Sequence, residues 1–287
     1  MKKRKTVAVL TPTRDGLVDI SYTQSLVASI RELSDEYDIQ PTLISGVSDI
    51  TTGRNKLWNL WYQTDVDFCL WVDSDISWNP IDLKNMLESP VAVIGGNYAK
   101  KEYNHEAFLR YASLQQNHLG EINVKEALEA SFGYVSTGSH SKHIEGEAKG
   151  LMSVEGVGLG FLLISRIAAD ELMNWAAINM QKLSMETLSG KRIKGYPVFN
   201  PVTGLDIDGE DVGYGEDFSF CKRLNESGVK IFIDPSMRLR HSGYHVFDSC
   251  FDSFVKMSEL SSENNVQVPR EDYKTPEEII ESNNDKK

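Results

Sequence analysis

Two carboxylates one residue apart close an apolar run. Phe68, Cys69, Leu70, Trp71 and Val72 are followed by Asp73, Ser74 and Asp75. Apolar residues in unbroken succession read as a buried strand. On an extended backbone positions i and i+2 point the same way, so Asp73 and Asp75 are expected to project together from the strand's end. Such a pair repels itself unless something positive sits beside it. A hard divalent cation meets that need, because Mg²⁺ and Mn²⁺ prefer oxygen ligands and keep positions open for substrate phosphates. The competing reading is a polar strand end, or a cap for the helix that Pro80 opens.

A second acidic set lies far along the chain: Asp206, Asp208, Glu210, Asp211, Glu216 and Asp217, with no basic residue among them. Its spacing does not match the twelve-residue calcium loop. Phe218, Cys221 and Leu224 continue as a helix, which places Glu216 and Asp217 at its N-terminus, where the helix dipole favours carboxylates. A capping pair and a chemical pair are both open there. His241 follows a last short strand over 230–234. His140 and His143 are spaced for a helical metal pair, but their Gly and Ser neighbours read as a loop.

The elements that must position these groups follow from the pattern. A strand over 6–10 runs into the turn Thr11-Pro12-Thr13-Arg14-Asp15-Gly16. Ser21 is the expected cap of a helix carrying Leu26, Ile30 and Leu33. A strand over 41–46 leads to Asp49, and a helix from about Arg54 carries Leu57, Leu60 and Trp61. The Asp73/Asp75 strand comes next, then the helix at Pro80, then a strand over 91–94 ending in Gly95-Gly96-Asn97-Tyr98. This alternation predicts an α/β fold with a largely parallel sheet. The strand ends then share one edge, where ligands bind in open α/β sheets.

The pattern weakens over 101–150, which reads as an excursion across that edge. Order returns with Gly156, Gly158 and Gly160 ahead of Phe161-Leu162-Leu163-Ile164. The run lacks the last glycine of a dinucleotide fingerprint, so these glycines are expected to let a strand pass close to a ligand or another backbone. A helix over 168–181 follows. The sequence divides into a domain over 1–255 and a polar tail over 256–287.

The chain has 287 residues, 40% of them hydrophobic, which is enough for a real core. A net charge of -12 disfavours a broad nucleic-acid-binding face. Lys100, Lys101, Arg110, Lys142, Lys149, Lys191, Arg192 and Lys194 remain as a possible local basic rim. Three cysteines, Cys69, Cys221 and Cys250, are too few for a disulfide framework and fit a reducing, cytoplasmic compartment. No stretch approaches the ~20 apolar residues of a membrane span, so a soluble protein is expected.

The ordered set Thr11-Pro12-Thr13-Arg14, Gly53-Arg54-Asn55, Trp71-Val72-Asp73-Ser74-Asp75, Gly95-Gly96-Asn97-Tyr98-x-Lys100, Gly158-x-Gly160-Phe161, Gly215-Glu216-Asp217-Phe218 and His241 resembles the GT-A glycosyltransferases. More narrowly, it is similar to the compact family-2-like enzymes of bacteria and their phages. The resemblance covers residues 6–245. It implies a single GT-A domain, a nucleotide-sugar donor, commonly a UDP-sugar, and Mn²⁺ or Mg²⁺ held by Asp73, Asp75 and His241. It further implies that Thr11, Pro12, Thr13, Arg14, Asp49, Arg54, Asp73, Ser74, Lys100, Gly158 and Gly160 line the donor pocket. Asp217, with Glu216 beside it, would be the catalytic carboxylate of an inverting reaction. The acceptor is open between a glycan, a lipid, a protein and a hydroxylated base of phage DNA. The cytoplasm, or a host's cytoplasm, is the expected site. The rivals are a nucleotidyltransferase, whose basic Gly-rich signature is missing from 10–16, and a nucleotide- or glycan-binding module without catalysis.

Overall fold

The computed structural model describes residues 4–138, 148–186, 190–205, 211–243 and 247–263. His140, Lys142, His143, Asp206, Asp208, Glu210 and most of the tail lie outside the described residues.

The first half alternates as the pattern predicts: β1 (Lys5–Pro12), α1 (Ile20–Glu32), β2 (Tyr37–Ile44), α2 (Ile50–Tyr62), β3 (Phe68–Val72), β4 (Ile76–Ser77), α3 (Pro80–Glu88) and β5 (Val93–Gly95). Helix starts are set by caps. Asp19, not Ser21, caps α1 by accepting from the Ser21 N–H. Asp49 caps α2, so that helix begins a turn before Arg54. Asn79 caps α3, with Pro80 inside the first turn, where its missing N–H leaves nothing unpaired.

The second half holds α4 (His105–Leu119), α5 (Val124–Ala130), β6 (Ser136–Thr137), β7 (Met152–Val154), β8 (Gly156–Val157), β9 (Phe161–Ser165) and α6 (Arg166–Asn179). A hairpin of β10 (Leu183–Glu186) and β11 (Arg192–Gly195) follows, then β12 (Val202–Leu205), β13 (Asp211–Tyr214) and α7 (Glu216–Glu226). The chain continues through β14 (Ile231–Ile233), β15 (Arg238–His241), β16 (Phe247–Cys250) and α8 (Phe251–Glu263).

Seven strands form one sheet in the order β2-β1-β3-β9-β5-β14-β7. β2, β1, β3, β5 and β14 run one way, and β9 and β7 run against their neighbours. The fold is thus α/β, a single domain around a mostly parallel sheet. β9 is antiparallel because the chain enters it from the edge where β3 ends, pairing Phe161 with Val72.

The unbroken apolar runs are strands buried on both faces. Alternate residues feed two cores. Ala8, Leu10, Cys69, Trp71, Leu162 and Ile164 join one, and Val7, Val9, Leu70, Val72, Phe161 and Leu163 join the other. Cys69 and Cys221 are buried and unpaired, and Cys250 is half-buried and unpaired. Among the described residues no helix is long and apolar enough to cross a membrane.

Segment 101–150 is more regular than its sequence suggests. α4 and α5 pack with α8 around Tyr111, Leu114, Ala127, Ala130 and Met257. The periodicity is hidden because Leu109 and Leu119 of α4 are exposed while Gln115 is buried. α8 also runs on to Glu263, past position 256 where the sequence places the start of a polar tail.

From β1 the chain moves to β2 on one side and then to β3 on the other. The carboxyl ends of β1 and β3 therefore flank a topological switch point, where open α/β sheets form a crevice.

Candidate active site

β3 stops at Val72 and the chain turns at once, with the Ile76 N–H donating to the Asp73 carbonyl at 3.1 Å. The i, i+2 rule assumes extended backbone, so the expected side-by-side projection of Asp73 and Asp75 does not hold. The two carboxylates go to different partners.

Asp73 turns toward α2. Its N–H donates to the Gly160 carbonyl at 3.1 Å, and its Oδ1 accepts from Arg54 Nη2 at 3.0 Å. Arg54 is 1% exposed and lies over the Trp71 ring. Its Nη1 contacts Asp217 Oδ1 and lies 3.6 Å from Glu216 Oε1. Asp217 Oδ2 accepts from the Leu159 N–H at 3.2 Å. One buried guanidinium therefore joins the acid after β3 to both acids that open α7. Gly215, the cap of α7, makes no side-chain hydrogen bond, and both Asp217 oxygens point to partners outside the helix. The pair is not a simple cap. Arg54 is likewise not a free phosphate ligand, since its terminal nitrogens face carboxylates.

The junction is rigid. Asn55 donates to Asn200 Oδ1 at 2.9 Å and accepts from the Phe199 N–H at 3.0 Å. Arg223 of α7 donates to the Val198 and Asn200 carbonyls at 2.8 and 2.7 Å. α2 and α7 thus clamp the same loop.

Asp75 faces the other way. The Lys101 ammonium sits on Oδ2, and His241 Nε2 lies 3.6 Å from Oδ1. His241 Nδ1 is 2.8 Å from the Ala99 carbonyl. A carbonyl only accepts, so Nδ1 carries a proton, and in the neutral ring the Nε2 lone pair looks toward Asp75. Burial pushes the Asp75 carboxyl up, but hydrogen bonds and charge from His241 and Lys101 outweigh it and hold the group below its ordinary range.

The positive charge that the acidic pair demands is therefore supplied by Arg54 for Asp73 and by Lys101 for Asp75. Of the expected metal ligands, Asp75 and His241 come together while Asp73 is taken by Arg54. Among the described residues no group of three or more His, Cys, Asp or Glu is placed so that it could hold a metal ion. A carboxylate and an imidazole still suit Mn²⁺, which can complete its shell with water and substrate phosphate.

The other expected donor residues have varied placements. Thr11 is fully buried, with its hydroxyl 2.8 Å from the Tyr22 hydroxyl. Pro12 ends β1 and is buried, and Thr13 donates its hydroxyl to the Ile44 carbonyl at 2.9 Å. Arg14 is exposed just beyond these buried residues, as are Asp15, Gly16 and Leu17. The Asp49 carboxylate is occupied by the Thr51 and Thr52 N–H groups and the Thr52 hydroxyl, and the Thr52 hydrogen bond holds its pKa down. Ser74 is half-buried and accepts the Asp19 N–H on its carbonyl. Lys100 is half-buried and donates its backbone N–H to Gly133. Asp211 opens β13 and is exposed. Of the basic residues, Arg110 lies on α4 and Arg192 and Lys194 on β11.

Gly158 and Gly160 give way to a side chain rather than to a ligand or backbone. Tyr98 packs on both and accepts the Gly160 N–H at 3.1 Å, with its ring edge-on to His241 at 5.2 Å. Burial, then the Asp73 charge, drives the Tyr98 hydroxyl pKa upward, so it stays protonated. A Cβ on Gly160 would meet Tyr98 Cζ at 2.6 Å. Gly160→Ala is expected to cost about 1–3 kcal/mol by overpacking, read as a lower urea midpoint. An unchanged midpoint would mean that Tyr98 is free to move.

Tyr98 and Lys101 are the residues whose importance the sequence understates. Tyr98 stands in a glycine-rich strand end, and Lys101 reads from the sequence as one residue of a possible basic rim. The spacing of the glycines was the available signal for a bulky neighbour.

Fold and site together define an α/β protein in which Asp73, Glu216 and Asp217 meet through Arg54, and Asp75 meets Lys101 and His241, just after the end of β3. No family model and no curated protein matches the chain. Among solved structures it is similar to A197 from STIV, at a TM-score of 0.43 and 12% identity, over 85% of this chain and 94% of that chain.

Proposed function

We propose that this chain is a glycosyltransferase of the GT-A type, moving a sugar from a nucleotide-sugar donor to an acceptor hydroxyl. The observation that carries the reading is the gathering of acids from separate parts of the chain just after β3: Asp73 joined through Arg54 to Glu216 and Asp217, and Asp75 beside His241. In this reading a nucleoside diphosphate lies at the edge flanked by β1 and β3, and the exposed Arg14 supports it.

Asp75 and His241 are the residues that would hold Mn²⁺ or Mg²⁺. Such a cation supplies Lewis-acid stabilisation of the negative charge on a departing diphosphate. The protein's own part is positional and protic. The acceptor hydroxyl attacks the anomeric carbon, the bond to the diphosphate oxygen breaks, and the hydroxyl proton passes to a carboxylate. Asp217 is that base in this reading, oriented by Arg54 and the Leu159 N–H, with Glu216 as the second carboxylate. Attack from the face opposite the leaving group inverts the sugar carbon.

Binding is the first test. A panel of nucleotide sugars is mixed with Mn²⁺, with and without chelator, and thermal unfolding is followed. A true donor at 100 times its Kd stabilises the fold by about 2.7 kcal/mol. Wild type is expected to show that increment only with metal, and Asp75→Ala is expected to lose it. A donor that still binds Asp75→Ala tightly and metal-dependently places the cation elsewhere. Binding without any turnover favours the non-catalytic module instead.

A further inference from the structure

The Asp75 carboxylate is shared between two unlike neighbours. Oδ2 carries the Lys101 ammonium, whereas Oδ1 lies 3.6 Å from His241 Nε2. A carboxylate oxygen and an imidazole nitrogen so placed form a seat for a cation. The same carboxylate already has a cation on its other side. An ammonium and a dication that share one carboxylate repel each other, and both cannot keep full contact.

We propose that Lys101 is the resident counter-ion of Asp75, and that a divalent cation binds by displacing it. This rests on the assignment of Asp75 and His241 as the cation-holding pair. Lys101 is built for exchange. Its side chain is 35% exposed, and it lies in the irregular stretch between β5 and α4. Asp75 is its single ion-pair partner among the described residues. Arg54 offers the contrast. It is buried and is held by three carboxylates, Asp73, Glu216 and Asp217. The crevice therefore has one fixed cation and one that yields. In the cation-free state Lys101 neutralises Asp75, at the cost of weaker metal binding.

The test uses Mn²⁺ alone, titrated into the full-length protein and followed by electron paramagnetic resonance of the free ion. Lys101→Met keeps the stem and removes the charge. It is expected to bind Mn²⁺ two- to fivefold more tightly than wild type, roughly the size of a partly exposed ion pair. A second readout needs no variant of Lys101. Amine acetylation of Lys101, quantified by mass spectrometry, is expected to rise severalfold when Mn²⁺ is added to wild type. In Asp75→Asn it is expected to be high with or without metal. Equal Mn²⁺ affinity in wild type and Lys101→Met, with acetylation indifferent to Mn²⁺, overturns the displacement while leaving the metal site standing. Absence of Mn²⁺ binding in both proteins overturns the displacement and the metal assignment together.

Discussion

Asp217→Asn is expected to lower turnover by roughly 100- to 10,000-fold, the usual worth of a positioned general base, with the fold intact. Asparagine keeps the shape of the side chain, and its carbonyl can still accept the Leu159 N–H. Arg54 keeps Asp73 and Glu216 as partners. The amide cannot take a proton, so the loss falls on kcat and leaves the donor KM close to wild type. Steady-state kinetics on the donor found by the binding panel make the check. Turnover within threefold of wild type removes Asp217 from the base role and moves it to Glu216, which touches the same guanidinium, or to Asp211.

The second large effect is on stability. Arg54→Met is expected to cost about 3 kcal/mol or more, because removing one partner of a buried ion pair strands the other charges. Here three carboxylates lose one shared cation, and their mutual repulsion adds to the loss. The side chain sits in the first turns of α2 against Trp71, so methionine fills much of the same volume. The cost is therefore electrostatic more than steric. Arg54→Lys is expected to fall between the two, since an ammonium lacks the planar fork that reaches Asp73 and α7 together. Urea unfolding at neutral pH measures both variants. A methionine variant within 1 kcal/mol of wild type would show that the three acids are relaxed by solvent and that the bridge is not structural.

What the sequence made legible follows physical lines. Phe68 to Val72 was readable as a strand because it is buried on both faces, and no solvent side interrupts the apolar run. The helix after Pro80 was readable because proline fits a first turn. The grouping of Asp73, Asp75, Glu216, Asp217 and His241 at one edge followed from strand alternation and the resemblance. Their pairing did not. The i, i+2 argument needs extended backbone, and the turn after Val72 is set by a hydrogen bond between Asp73 and Ile76 that no side-chain pattern announces. The cations were misplaced for a related reason. The sequence places Arg54 in the lining of the donor pocket and Lys101 in a possible basic rim, because an ion pair spanning 19 or 26 residues is a product of packing. α4 escaped notice because its exposed leucines and buried glutamine blur the helical period. Gly158 and Gly160 did signal close approach, but only the fold identifies Tyr98 as what approaches.

The central claim is that this crevice activates a nucleotide sugar. The most direct measurement is release of nucleoside diphosphate from the panel of donors, without acceptor, at fixed Mn²⁺ and again with excess chelator. Slow hydrolysis of one donor, lost on chelation and lost in Asp75→Ala, is the predicted result. If no donor is cleaved by wild type under any metal condition, or if cleavage is unchanged in Asp75→Ala, the acidic crevice is not a donor-activating site and the account fails.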